Sequence, residues 1–224
     1  MIKKGGCRHV LDLMPEKERN GLIALGSTVE YREESCLFQK GDPGDSFYII
    51  TAGSVFISVS SAEGKEIILN RLTAGEVFGE IAMFDQSART ADAIVAAGTK
   101  LISIDRARFF EFLDKTPSLY GAVIQHLCGR IRYCSAQVES FVLEDSLERL
   151  VSKLVYLAES AGQEKRALIE VSQSNLAKML GLSREAVNKN LRELQAAGLI
   201  ALGQKKIMIP SVAALEHFLT GRED

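Results

Sequence analysis

The stretch Phe78-Gly79-Glu80-Ile81-Ala82-Met83-Phe84-Asp85-Gln86-Ser87-Ala88-Arg89-Thr90-Ala91 combines the side chains that an anion site needs with few that would obstruct it. Holding a phosphate inside a protein takes backbone N–H groups converging from a tight turn, a fixed cation, and backbone that can approach closely. Gly79 and the small Ala82, Ala88 and Ala91 permit that approach, Arg89 can donate a bidentate fork, and Thr90 adds a hydroxyl. Glu80 would repel a phosphate, so its natural partner is a donor such as a ribose hydroxyl. Ile81 and Ala82 follow it directly and complete the candidate binding segment.

A second chemistry-bearing stretch runs from Ser172 to Leu194. Ser172 and Ser183 are suited to cap two short helices, with Gly181 as the stop and turn between them, which predicts a helix-turn-helix. Leu176, Ala177, Leu180, Val187, Leu191 and Leu194 would form its buried side, leaving Arg184, Glu185, Asn188, Lys189 and Arg192 on the open face. Arg and Lys can reach guanine O6 and N7 in the major groove of DNA, and Glu can accept from cytosine N4. Leu199–Leu202, a Gly203-Gln204-Lys205-Lys206 turn and Ile207–Pro210 then predict a β-hairpin with a basic tip, followed by an amphipathic helix from about Val212 to Thr220.

These stretches need scaffolds, and the sequence supplies two of different kind. From about Thr28 to Ile104, glycines at 41, 44, 53, 64, 75 and 79 cut short β-rich segments such as Phe47–Ile50, Val55–Val59, Glu66–Leu69 and Ala93–Val95, predicting an all-β roll or barrel with a strong turn at Asp42-Pro43-Gly44-Asp45. After Pro117 the period changes: Tyr120, Ile124, Leu127, Ile131, Cys134, Val138 and Phe141 recur at spacings of 4, 3, 4, 3, 4 and 3. That is a heptad seam, which predicts a long helix pairing with a second copy of itself. Asp145 and Glu148 then form a capping-box pattern that opens a new helix. The expected architecture is α+β: an N-terminal β-roll, jelly-roll-like, over residues 1–116, a dimerisation helix over 117–144, and a winged helix-turn-helix over 145–224.

Length and composition agree with this division. A chain of 224 residues holds about 1.5 domains at ~150 residues each. With 46% hydrophobic and 25% charged residues it is ordinary globular material. No apolar run approaches the ~18 residues of a membrane span and Met1–His9 has no apolar signal core, so a soluble, cytoplasmic protein without membrane contact is expected. The net charge of −2 is uneven: Lys165, Arg166, Lys178, Arg184, Lys189, Arg192, Lys205 and Lys206 face only Glu170, Glu185 and Glu193 between residues 165 and 206. Only that region is dressed for a polyanion. Cys7, Cys36, Cys128 and Cys134 have no zinc or iron–sulfur spacing and are expected to be reduced structural thiols. His9, His126 and His217 all fall outside the β region, which argues against a metal-dependent barrel enzyme, and no nucleophile–base pair is evident. No catalytic residue, metal or cofactor is expected.

Gly79-Glu80, eight intervening residues and Arg89-Thr90-Ala91 resemble the phosphate-binding cassette of cyclic-nucleotide-binding domains, and the Gly41–Asp45 turn and Gly53 match that family's spacing. Over residues 20–210 the chain is similar to the Crp/Fnr family of transcription regulators, and Ser183-Arg184-Glu185 matches the recognition helix of its catabolite-activator branch. The resemblance implies that Arg89 and Thr90 bind a cyclic phosphate and that Gly79 and Glu80 bind the ribose 2'-hydroxyl. It implies that the long helix makes a homodimer, with Ser135 reaching the partner subunit's nucleotide and Cys134 standing where the activator has Thr. Lys189 replaces a further Arg of that branch, keeping the charge but not the fork. The partners implied are cAMP or cGMP as regulatory ligand, a palindromic double-stranded operator, and RNA polymerase. Other members of the family sense redox state, gases or cyclic dinucleotides, or bind no small molecule. An iron–sulfur branch needs an N-terminal cysteine group where this chain has only Cys7, and a haem branch needs a Cys/His pair, whereas Cys36 has no His near it in sequence.

Overall fold

The computed structural model describes residues 10–163 and 165–220, so Cys7, His9 and the rest of the N-terminal stretch discussed above lie outside the described residues. The described chain forms two compact units divided at Gly129/Arg130. In chain order the first contains α1 (Glu16–Ala24), β1 (Ser27–Tyr31), β2 (Ser35–Phe38), β3 (Ser46–Ala52), β4 (Ser54–Ser60), β5 (Glu66–Thr73), β6 (Val77–Phe78), α2 (Glu80–Asp85), β7 (Asp92–Val95), β8 (Thr99–Asp105) and α3 (Arg106–Lys115). A short 3-10 helix at Pro117–Leu119 leads into α4 (Tyr120–Leu143), whose residues are shared between the units. The second unit continues with α5 (Ser146–Ser160), β9 (Ala167–Glu170), α6 (Gln173–Leu180), α7 (Arg184–Ala196), β10 (Ala201–Gly203), β11 (Lys206–Ile209) and α8 (Val212–Thr220).

Two four-stranded antiparallel sheets, ordered β1-β8-β3-β6 and β2-β7-β4-β5, build the β-roll. Strand β3 shows why this sequence stands at its centre, because its alternate residues serve two cores. Phe47 and Ile49 pack with Leu22, Met83, Ile104, Phe109 and Leu113 toward the helices, while Ile50 packs with Val55, Leu72, Phe78, Val95 and Leu101 toward the other sheet. A strand buried on both faces must be apolar along its length, as Phe47-Tyr48-Ile49-Ile50 is. All four strands expected from composition are present. Four more, β1, β2, β6 and β8, complete the roll.

Helix α4 runs for 24 residues, as the heptad seam predicts. Ile124, Ile131 and Val138 on that seam are 59%, 65% and 63% exposed in the single chain. The seam is not free throughout, however: Leu127 packs against the first unit's core, and Phe141 lies beside Arg149. Asp145 caps α5 by accepting from the N–H groups of Leu147 and Glu148 while Glu148 returns a bond to the Asp145 N–H, the reciprocal arrangement expected.

In the second unit the rings of Tyr133 of α4 and Tyr156 of α5 meet at a tilt with centroids 5.1 Å apart, and the buried Lys153 ammonium donates to the Tyr133 hydroxyl at 3.2 Å. Burial pushes the Lys153 ammonium down to about 8 and the Tyr133 phenol up. Between about pH 8 and the ordinary lysine value of 10.5 the unfolded chain therefore binds a proton that the folded unit has lost, and stability rises with pH. Above the ordinary tyrosine value of 10.0 the folded phenol keeps a proton that the unfolded chain releases, which reverses the trend. Denaturant unfolding of this unit is expected to show higher stability at pH 9 than at pH 7.5, with the increase abolished in Lys153→Met. A flat profile in the wild type would contradict the burial of a charged Lys153.

Candidate functional site

The candidate anion site is built around Arg89, which is 5% exposed and closed in by the turn that follows β2. That turn is anchored at its start: the Gln39 N–H donates to Asp42 Oδ2 at 2.8 Å and the Lys40 N–H to Asp92 Oδ1 at 2.7 Å. It joins the cassette by an exchange of backbone bonds, Gly41 N–H to the Arg89 carbonyl at 2.9 Å and Arg89 N–H to the Asp42 carbonyl at 2.8 Å. The guanidinium lies over the Phe38 ring with Cζ 4.2 Å from its centroid. Gly44 and Gly79 shape the cradle, since a Cβ at either would come to 2.7 Å or 2.8 Å of the guanidinium. Gly79 is left-handed (φ 83°), a conformation that costs glycine nothing and turns the chain from β6 into α2.

Nη1 of Arg89 donates to the Gly79 carbonyl at 2.7 Å and Nη2 to the Ser46 carbonyl at 2.9 Å. These bonds use two of the five N–H donors of the guanidinium and fix its orientation in the cradle. Nε is buried and has no acceptor among the described residues. Burial pushes the Arg89 guanidinium down from its ordinary value, and Tyr48, Asp45, Glu80 and Asp42 oppose that shift.

Glu80, the first residue of α2, is buried, as is Ala82 beneath Gly44, while Ile81 and Thr90 are exposed. Helix α2 is held by Met83, whose side chain is in the core and whose carbonyl accepts from Arg106 Nε at 2.9 Å. The structure thus gathers Gly79, Glu80, Ile81, Ala82, Arg89 and Thr90 on α2 and the two segments that flank it. Cys134 and Ser135 lie exposed on α4, within the other compact unit. Phe38, Gly44 and Ser46, which complete the Arg89 cradle, come from β2, the following turn and β3. Gly44 is legible in the sequence only as a turn residue, and nothing there marks Phe38.

In the second unit α6 and α7 form the expected helix-turn-helix. Ser172 accepts from the Asn175 N–H and Ser183 from the Ala186 N–H, each at 3.1 Å, and Gly181 ends α6 in the left-handed conformation. Leu176, Ala177, Leu180, Val187, Leu191 and Leu194 are buried; Arg184, Glu185, Lys189 and Arg192 are exposed, and Asn188 is half-buried. Asn190, which sequence reasoning missed, is a buried polar residue on the inner face of α7 whose Nδ2 donates to Ser146 Oγ at 3.1 Å. It ties the open-faced helix to the start of α5.

The hairpin differs from expectation in two ways. Leu199 and Ile200 are not strand, because the Leu199 N–H closes the end of α7 on the Leu194 carbonyl at 3.0 Å, so β10 begins at Ala201. Strand β9 adds a third strand in the order β10-β11-β9. Lys205 occupies the turn with φ 54°, but Lys206 opens β11 and pairs with Glu170 of β9 at 2.8 Å. The basic tip is therefore Lys205, with Lys206 half-exposed in an ion pair of the kind worth ~0–1 kcal/mol.

Cys36, Cys128 and Cys134 are free thiols, and His126 and His217 lie on α4 and α8. Among the described residues no group of three or more His, Cys, Asp or Glu is placed to hold a metal ion, and no helix is long and apolar enough to cross a membrane.

Residues 28–116, which hold the cradle, match the family model described as Cyclic nucleotide-binding domain, and residues 148–218, which hold α6, α7 and the hairpin, match the one described as Crp-like helix-turn-helix domain. The chain is 28% identical over 185 residues to the CRP-like cAMP-activated global transcriptional regulator of Mycobacterium tuberculosis, covering 81% of this chain and 83% of that protein. It is 26% identical over 191 residues to the cyclic AMP receptor protein of Thermus thermophilus, covering 85% and 87%. The solved structure of the c-di-GMP-responsive global regulator CLP of Xanthomonas campestris has the same fold, with a TM-score of 0.74 at 22% identity, covering 87% of this chain and 99% of that one. With an Arg-centred cassette in a β-roll and a Crp-like helix-turn-helix following in the same order, this chain belongs to the Crp/Fnr family of transcription regulators.

Proposed function

We propose that this protein is a homodimeric transcription regulator whose affinity for double-stranded DNA is set by a cyclic nucleotide, cAMP or cGMP, acting in the cytoplasm as a sensor and not a catalyst. The observation that carries the reading is Arg89: a buried guanidinium held between Gly44 and Gly79, with Nε unused, in a chain whose α7 presents Arg184, Glu185, Lys189 and Arg192 outward. A cyclic phosphate meeting Arg89 and Thr90, with the ribose 2'-hydroxyl donating to Glu80, uses the cation, the hydroxyl and the buried carboxylate of the cassette together.

The exposed Ile124, Ile131 and Val138 would be covered by α4 of a second copy, which sets two recognition helices about one DNA turn apart on a palindromic operator, whose halves the family resemblance implies to be TGTGA-like. RNA polymerase is the further partner of a regulator so bound. Regulation by population shift from 1:99 to 99:1 requires the nucleotide to prefer one state ~10⁴-fold. Calorimetric titration with cAMP, cGMP and cyclic dinucleotides tests the ligand class. One cyclic mononucleotide per chain is expected, and binding of a dinucleotide alone would replace this reading with another signal.

Ser135 links nucleotide occupancy to the position of α4. The adenine amine suits a hydroxyl acceptor, so cAMP is expected to activate better than cGMP even where their affinities lie within about tenfold, ~1.4 kcal/mol. Ser135→Ala should reduce nucleotide-stimulated DNA binding more than it reduces nucleotide binding. Equal losses in the two measurements would leave Ser135 with no part in the switch.

A further inference from the structure

Helix α5 carries the DNA-reading helices with it. Its first residue, Ser146, accepts from Asn190 of α7, and Arg149 donates Nη1–H to the Leu180 carbonyl at the end of α6 at 3.3 Å. Leu150 and Leu154 share one apolar core with Leu176, Leu180, Val187 and Leu191. Whatever sets α5 against α4 therefore sets α7.

Polar contacts join those two helices at the corner and between Tyr133 and α5. Glu144, in the turn between them, accepts from Ser152 Oγ at 3.0 Å and also bonds Ser140, which ties only the corner. Further along, the Lys153 ammonium lies 5.7 Å from the Tyr133 ring centroid and 5.1 Å from that of Tyr156, and it donates to the Tyr133 hydroxyl. Lys153 is 5% exposed and has no carboxylate within ion-pair distance among the described residues. An ammonium so placed has given up its hydration without gaining a counter-charge, and one phenol oxygen and two ring faces offset that loss only in part. The charge works against the α4–α5 contact, and the Tyr133 hydroxyl works for it. Ser135 is two residues beyond Tyr133, about 200° around the helix at ~100° per residue, on the opposite face of α4.

We propose that Lys153 is a positioning residue for the regulated DNA binding: its caged ammonium, balanced by Tyr133, sets how firmly α5 and the helices it carries are held against the α4 segment that bears Ser135. This rests on the nucleotide-regulated reading above. Two substitutions pull the balance in opposite senses. Lys153→Met keeps an apolar chain between the rings and removes the charge, tightening the contact. Tyr133→Phe keeps the ring and removes the oxygen, loosening it.

The test measures the affinity of wild type, Lys153→Met and Tyr133→Phe for a duplex with inverted TGTGA halves, without nucleotide and with saturating cAMP, alongside thermal unfolding of each. The nucleotide-free affinities of the two variants are expected to move at least threefold from wild type in opposite directions. Shifts in the same direction, which a merely structural role would produce, or no shift in either, overturn the proposal. A wild-type affinity that cAMP leaves unchanged overturns the regulated reading itself, and the linkage with it.

Discussion

Arg89→Ala is expected to weaken cyclic-nucleotide binding more than tenfold, ~1.4 kcal/mol or more, while the β-roll still folds. The guanidinium is the cation placed by the Gly41–Asp45 turn, Phe38 and Gly79 at one point of the cassette, and its loss removes both charge and fork. Arg89→Lys should recover only part of the affinity, because an ammonium supplies charge without bidentate geometry. The same substitution carries a structural cost. The Gly79 and Ser46 carbonyls lose a charged donor, a bond of the class worth ~1.5–3 kcal/mol, so the melting temperature should fall as well. Calorimetry and thermal unfolding of the same samples separate the two effects. Unchanged affinity in a folded variant would place the nucleotide elsewhere.

The second large effect belongs to α7. Arg184→Ala should cost ~1–3 kcal/mol at one guanine of each half-site and relax the base preference there. Lys205→Ala should instead weaken binding to all sequences alike and flatten its dependence on salt, as loss of a phosphate contact does. Lys206→Ala should do the same more weakly, since Lys206 must first leave Glu170. Selection from random duplexes followed by salt titration distinguishes these cases. A loss for Arg184→Ala that is uniform over sequence would remove it from base reading.

The local devices were readable in the sequence because they are periodic or short-range. The 4-3 seam marks α4, the Asp145/Glu148 box marks the start of α5, and Ser172, Gly181 and Ser183 mark α6 and α7 to within a residue. The cassette was readable for the same reason, since Gly79, Glu80, Arg89 and Thr90 are close in sequence. What stayed hidden depends on pairing between distant segments. Phe38 comes under Arg89 because β2 pairs with β7, a register that no local pattern specifies. Strand β9 joins the hairpin through Ile169 opposite Ile207, and this pairing gives Lys206 its partner Glu170. Asn190 and Lys153 read in sequence as ordinary polar helix residues. Only the packing of α5 on α4 and α7 buries them and turns them into positioning groups.

In the proposed function one chain couples a nucleotide cradle to a DNA-reading helix. Equilibrium binding of the purified protein to a fluorescent duplex with inverted TGTGA halves, titrated with cAMP and with cGMP, tests it most directly. A dimer bound per duplex, an increase in DNA affinity that saturates with one nucleotide per chain, and loss of that increase in Arg89→Ala are expected. DNA binding that is equally tight with and without either nucleotide, in wild type and Arg89→Ala alike, would contradict it.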